Sequence, residues 1–333
     1  MSRNPKNIPT GPVVLFQGLR GTSDERAARL LLTIKDPDVH PVPSIETLLR
    51  TVDLTPECMG LLPVENPLEG ELAPVMDRIA FETRNVYVRE TVVLIEHLEA
   101  FSATRTGHPR IAISHPFVLA LCERSISRAG LSSMTALSTT EACKVVASSK
   151  DDGLLAIAPS EVGRSMGLYT HPEIGSDLPE VRTRYALIGR EVAPTTGNDQ
   201  TSIVVTPEAD RPGSLAAMLS ILATRSINLT SLRSRPILTN QHTIHCFFIE
   251  LSGHIYDPVI QSALMDVMHD GARLRVLGSY PQWSGAPVDS PFEAIPLKSI
   301  DVSSDKDEIH KALNPPIARS DGDLADRGSP GDS

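Results

Sequence analysis

A chain of 333 residues with 41 % apolar and 22 % charged side chains is too long for one small module and too apolar for wholesale disorder, and it predicts two domains with unstructured flanks. Aromatic residues are only 4 %, against 27 prolines and 21 glycines, a balance that favours aliphatic α/β packing over an aromatic-rich binding surface. With 31 basic and 41 acidic side chains the formal charge is −10, which supplies no net field to attract phosphate backbones and sets nucleic acid aside as a partner.

Residues 1–12 are polar and proline-containing and are expected to be disordered. They hold no continuous apolar stretch of the kind that directs export, and no run of about 18 apolar residues occurs anywhere, so membrane insertion lacks support. Cys58, Cys122, Cys143 and Cys246 form no C-x-x-C pair and have no histidine at zinc-ligand spacing, which predicts a reduced, cytoplasmic protein without a structural metal.

Val13 to Phe16 reads as a strand ended by Gly18, and Asp24 to Ile34 as a helix carrying Ala27, Ala28, Leu31 and Leu32 on one face. Helix 44–52, strand 60–64, helix 72–80 and an extended segment 86–95 follow. From Ile111 the alternation resumes: strand 111–114, helices 117–129 and 140–149, strand 154–158, helix 160–166, strand 185–188. Such alternation implies a parallel or mixed sheet and fits two α/β lobes within residues 13–190. Periodicity lapses over 191–200, which reads as a linker. Residues 201–283 then give strand 201–206, helix 214–224, strands 228–234 and 242–251, helix 258–269 and strand 273–277. This β-α-β-β-α-β order is ferredoxin-like, with a one-sided sheet that leaves a face or an edge for pairing. Residues 284–333, rich in Asp, Ser, Pro and Gly, are expected to form a disordered acidic tail.

Glu65 and Asn66 lie just beyond the carboxyl end of an apolar strand, where open α/β sheets place their ligands; terminating the strand and capping the next helix is the alternative. Gly18 to Ser23 follows a strand and opens a helix, so Thr22, Ser23 and nearby backbone donors can hold an anion or can form an ordinary turn. Thr183-Arg184-Tyr185 gathers a hydroxyl, a fixed cation and a phenol before a strand. Ser114 and His115 end another, with His115 an acid, a base or a structural residue. No Ser-His-Asp order, metal helix or phosphate loop assembles from these residues.

Together these segments carry a resemblance. Glu65-Asn66-Pro67-Leu68-Glu69-Gly70 resembles the E-N-S-x-E-G segment of prephenate dehydratases, Ser114-His115-Pro116 with Cys122 is similar to that family's S-H-P-x5-C, and Thr183-Arg184-Tyr185 resembles its T-R-F motif. Arg211 to Leu215, Ile227 to Thr230, Ser234 to Pro236 and Leu277 to Pro281 resemble the ACT regulatory domain fused to those enzymes. The resemblance spans roughly Val13 to Trp283. It implies a two-lobed, periplasmic-binding-protein-like catalytic domain followed by an ACT domain. The implied reaction converts prephenate to phenylpyruvate with loss of carbon dioxide and water, without metal or organic cofactor, in phenylalanine biosynthesis. Thr183, Arg184, Glu65 and Asn66 are the implied catalytic residues, with Thr22, Ser23, Ser114 and His115 binding substrate. Thr183 suits a hydrogen-bond donor to the departing hydroxyl, Arg184 an anchor for a carboxylate, and Glu65 an acid. L-Phenylalanine is the implied effector, held by Gly213, Ser214, Leu215, Asn228, Leu229 and Arg235 between paired domains of a homodimer or homotetramer. Fewer than about 15 residues precede Val13, too few for the helices of a chorismate mutase, which predicts a monofunctional enzyme.

Pro67 replaces a serine of the family motif, Tyr185 a phenylalanine, Val181 an asparagine, and Arg233 the glutamate before S-R-P. These departures leave room for two alternatives: a prephenate decarboxylase, which releases only carbon dioxide, or a non-catalytic amino-acid-sensing ACT protein.

Overall fold

The computed structural model describes residues 11–106, 108–149, 151–208, 211–238, 243–292, 295–297, 299–301 and 303–315. Residues 1–10 of the expected N-terminal flank and 316–333 of the expected tail lie outside the described residues. The chain forms two compact units, one ending at Pro291 and the other starting at Phe292.

The first unit opens with β1 (Val13–Gln17), α1 (Ser23–Ala28), β2 (Asp38–Val42), α2 (Ile45–Leu54), β3 (Cys58–Asn66), β4 (Gly70–Glu71), α3 (Ala73–Glu82) and β5 (Tyr87–Glu96). It crosses into a second lobe of β6 (Leu98–Ser102), β7 (Ile111–Ser114), α4 (Pro116–Leu121), α5 (Glu123–Arg128), β8 (Ser132–Thr135), α6 (Thr139–Ser148), β9 (Leu154–Pro159), α7 (Ser160–Ser165) and β10 (Tyr169–Gly175). Strand β11 (Val181–Gly189) returns to the first lobe. Then come β12 (Asp199–Thr206), α8 (Ser214–Thr224), β13 (Leu229–Leu238), β14 (Thr243–Ser252), α9 (Pro258–His269) and β15 (Arg273–Pro281).

Among the described residues the strands make two sheets. The second lobe has the order β10-β6-β9-β7-β8, and the first lobe continues into the ferredoxin-like unit as β13-β14-β12-β15-β5-β11-β3-β1-β2, with β4 on β3. The predicted two-lobed α/β body and βαββαβ unit are both present, joined through one sheet. The junction is the parallel pairing of β15 with β5 at Gly278 and Val88. Glycine is required there, because a Cβ on residue 278 would overlap the Val88 carbonyl oxygen. The first lobe and the ferredoxin-like unit also share one apolar core, in which Leu62, Ile79, Val88 and Ile188 meet Val204, Phe248, Leu277 and Tyr280. Residues 191–200, expected as a linker, are tied down as well: Asp199 and Gln200 open β12, and the Ala193 N–H donates to the Ser279 carbonyl at 3.1 Å.

Three local differences from the sequence reading have identifiable causes. The helix expected to run to Ile34 stops at Ala28 because the buried carboxylate of Glu90 takes the backbone N–H groups of Leu32 and Thr33, at 2.7 and 3.2 Å. Leu31 and Ile34 stay buried, so burial continued the apolar pattern after the helix had ended. Helix 117–129 breaks at Cys122, whose backbone (φ −115°, ψ 12°) leaves the helical region. The first residues of the expected tail belong to the first unit: Asp289 pairs with Arg182 at 3.0 Å and Val288 is buried. In the second unit, α10 (Lys306–Leu313) is capped by the Asp305 carboxylate, which accepts from the Glu308 N–H at 2.8 Å. No described helix is long and apolar enough to cross a membrane.

Candidate active site

The chain passes between lobes twice, after Glu96 and before Val181, and the two crossovers touch through His97 Nδ1 and the Pro179 carbonyl, 3.3 Å apart. Strands β5 and β11 run antiparallel on the first-lobe side, pairing Val181 with Glu96, Thr183 with Leu94 and Tyr185 with Val92. Side chains alternate across a sheet, so Thr183, Tyr185 and Glu96 share the face covered by α1. Arg182 and Arg184 point to the other.

On the α1 face the polar groups converge at the hinge. Ser23 Oγ donates to Glu96 Oε1 at 2.8 Å, and Arg26 pairs with the same carboxylate while its other arm reaches Glu161 of the second lobe at 3.0 Å. Thr140 Oγ1 of the second lobe donates to the Gly21 carbonyl at 2.6 Å. The lobes therefore meet through α1. Arg26 Nε is buried without an acceptor among the described residues. Asp24 is pushed up to about 6 by burial, opposed by a hydrogen bond from Tyr185, and burial raises Tyr185 so far that it remains a protonated donor. Thr183 is 7 % exposed and its hydroxyl has no hydrogen-bond partner among the described residues. Thr183 lies on the same face of β11 as Tyr185, the partner of Asp24, and a hydroxyl without a partner can donate to a departing oxygen.

Other expected residues are placed elsewhere. Arg184 does not join Thr183: it pairs with Glu65 at 3.2 Å on the opposite face, which is the consequence of odd and even positions on one strand. Asn66, 6 % exposed, uses its carbonyl oxygen to accept the N–H groups of Leu68 and Glu69 at 3.0 and 2.8 Å: it ends β3 and closes the turn into β4, and does not cap α3, which starts from Leu72. Ser114 is wholly buried and donates to the Ile157 carbonyl at 2.6 Å, leaving nothing for a ligand. His115 caps α4, its Nδ1 accepting the Phe117 N–H at 3.3 Å, and burial lowers its pKa. It lines a shallow cavity of the second lobe with Met134, Leu137 and Glu141. The first turn is closed on itself: Thr22 Oγ1 donates to the Leu19 carbonyl and Glu25 accepts the Gly21 N–H at 2.6 Å, so the expected anion donors are engaged.

Of the expected set, Ser23 is joined to Glu96 and Arg26, and Thr183 shares its sheet face with Tyr185, the hydrogen-bond partner of Asp24. Arg26 was legible as the residue one helical turn beyond Ser23. Glu96 was not, because its place depends on strand register.

In the ferredoxin-like unit, Gly213 caps α8 at φ +92° and borders a cavity of about 350 Å³ with Ser214, Leu215, Ala216 and Phe247. Asn228 and Leu229 lie at the other end of the sheet, where the Asn228 carbonyl accepts from Ser252 beside Gln200. Arg235 is engaged with Asp77 of α3 at 3.2 Å. Within one chain the expected effector residues therefore fall into three places.

A family model described as prephenate dehydratase matches residues 14–193. The chain is 32 % identical to a prephenate dehydratase of Amycolatopsis methanolica over 82 % of its own length and 89 % of that protein. It is 31 % identical to a bifunctional chorismate mutase/prephenate dehydratase of Stutzerimonas stutzeri, over 73 % of this chain but only 66 % of that relative's length. A solved prephenate dehydratase of Arthrobacter aurescens, in complex with L-Phe, superimposes with a TM-score of 0.69 at 24 % identity, covering 81 % of this chain and 90 % of the other. With the family match spanning both lobes and the return strand that carries Thr183, the chain belongs to the prephenate dehydratase family.

Proposed function

We propose that the chain is a prephenate dehydratase whose reaction takes place at the hinge end of the interlobe crevice, on the α1 face of β11. The observation that carries this reading is Thr183: a family-motif residue only 7 % exposed, its hydroxyl free of any hydrogen bond among the described residues, at the point where the return strand enters the first lobe. In the reaction the ring carboxylate leaves as carbon dioxide, its bonding electrons aromatise the ring, and the C4 hydroxyl departs and takes up a proton to become water. Aromatisation drives the step, so the protein has to orient the substrate and stabilise the departing oxygen.

Thr183 donates to that oxygen. Arg26, the cation of this face, is assigned in place of Arg184 to a substrate carboxylate, which would compete with Glu161 for its exposed arm. Asp24, hydrogen-bonded to Tyr185 on this face and raised to about 6 by burial, is assigned as the proton reservoir. The test is the product made from prephenate by purified protein, read by absorbance and mass. Phenylpyruvate is expected; a product that keeps the ring hydroxyl would instead establish the decarboxylase, and no turnover the sensor.

Regulation is read in the same way. The Gly213 cavity of one chain and the Asn228–Leu229 strand end of another would together hold an amino acid such as L-phenylalanine, since a single chain separates them. Inhibition by L-phenylalanine in a dimer or tetramer supports this reading; unchanged kinetics and oligomeric state refute it.

A further inference from the structure

The second lobe carries a cavity of about 470 Å³ beside the crossovers that join the lobes, within the size range of small-molecule sites, roughly 300–1,000 Å³. It is lined by Leu98 and Glu99 at the start of β6, by residues 172–179, and by Arg124, Ser125 and Arg128 of α5. Arg124 and Arg128 stand four positions apart and so share a helix face. Neither guanidinium makes an ion pair or a hydrogen bond among the described residues. The carboxylates of the lining are engaged with other groups: Glu99 pairs with Arg164 at 2.7 Å, Glu173 accepts from His171 Nδ1 at 3.2 Å, and Asp177 accepts the backbone N–H of Arg124 at 3.1 Å. Two like charges one turn apart on a helix repel each other, and a bound dianion would reverse that. Two hydroxyls add donors. Ser125 Oγ accepts the Gly175 N–H at 3.1 Å and Ser176 Oγ accepts the Leu178 N–H at 3.0 Å, so each spends a lone pair and keeps its own proton for a ligand. One acceptor is also unmet: Glu99 Oε2 is buried with no donor among the described residues. Donors for an anion thus stand beside an acceptor that suits a hydroxyl.

We propose that this cavity binds a phosphate monoester carrying hydroxyl groups, of the sugar-phosphate class, with its phosphoryl oxygens on Arg124, Arg128 and the serine hydroxyls and a ligand hydroxyl donating to Glu99. The planar guanidinium fork matches phosphate oxygens in pairs, and a dianion matches two unpaired cations where a single carboxylate would leave one over. The site shares no residue with the hinge group around Thr183 or with the ferredoxin-like unit, so its occupancy is read as binding, without reference to turnover.

The full-length protein is titrated calorimetrically with glucose 6-phosphate, ribose 5-phosphate and glycerol 3-phosphate, and with inorganic phosphate and glucose, which each supply only one half of the ligand. Saturable binding of at least one ester is expected, about tenfold or more tighter than inorganic phosphate, with no binding of glucose. The double variant Arg124→Gln/Arg128→Gln should weaken binding of that ester about tenfold or more, whereas Arg50→Gln, at an exposed arginine of α2 in the first lobe, should leave it within about twofold of the parent. The proposal is overturned if none of the three esters binds, if inorganic phosphate or glucose binds as tightly as the best of them, if the double variant binds as the parent does, or if Arg50→Gln weakens binding as much as the double variant. The comparison of esters with inorganic phosphate and glucose uses the unaltered protein, so the test stands even where the double variant fails to fold.

Discussion

At the scale of single residues, chemistry is decided by which face of β11 a side chain occupies. Thr183 and Arg184 are neighbours in sequence and share a family motif, yet their side chains lie on opposite faces of β11, and in the proposed site Arg26 replaces Arg184 as the cation. Replacing Arg26 by alanine should raise KM for prephenate about tenfold or more, through loss of a substrate anchor; an unchanged KM would remove it from the site. Asp24 gives a pH prediction. Its folded pKa is raised by burial to about 6, so the folded state binds its proton more tightly than the unfolded state does. Its contribution to stability is therefore most favourable below the ordinary aspartate range and is lost as pH rises toward 6. Asp24→Asn should accordingly stabilise the protein by about 2 kcal/mol at pH 7 to 8 and have little effect near pH 4. Denaturant titrations at the two pH values check this, and an equal effect at both would contradict the assigned burial.

At the scale of elements, the central strands and long helices were legible because their patterns are strong. Strand β1 is buried along three successive residues, and α2 places Leu48, Leu49 and Val52 inward behind a Ser44 cap that accepts the Thr47 N–H at 3.1 Å. Strands β8 and β10 escaped the reading for the opposite reason: they are sheet edges, largely exposed and polar, with no alternation to detect. The site residues divide in the same way. Motif positions were visible in sequence, whereas the separation of Thr183 from Arg184, the engagement of Asn66 in a turn and the burial of Ser114 depend on register and packing. Sequence likewise hid why Gly278 belongs to its motif, since the reason is the Val88 carbonyl nearly two hundred positions upstream. Gly278→Ala should force β15 and β5 apart and cost about 2–4 kcal/mol; a melting temperature equal to the parent's would show that the junction is looser than described.

At the scale of the molecule, the two modules foreseen in the sequence are not independent. One sheet runs through both, and Leu277 and Tyr280 are core residues for Val88 and Ile188. The first lobe and the ferredoxin-like unit should consequently unfold in a single calorimetric transition, with calorimetric and van't Hoff enthalpies agreeing for that part; a separate, earlier transition for residues 199–281 would contradict the shared core. The reaction is assigned to the face of this shared sheet that α1 covers at the interlobe hinge, opposite the face that carries Arg184. The most direct test compares kcat for Thr183→Ala and Arg184→Ala under saturating prephenate. Thr183→Ala should fall by about 100-fold or more, as for loss of one preorganised donor to a departing oxygen, with Arg184→Ala within about threefold of the parent. Near-normal turnover by Thr183→Ala, or a collapse confined to Arg184→Ala, would put the chemistry on the wrong side of the sheet.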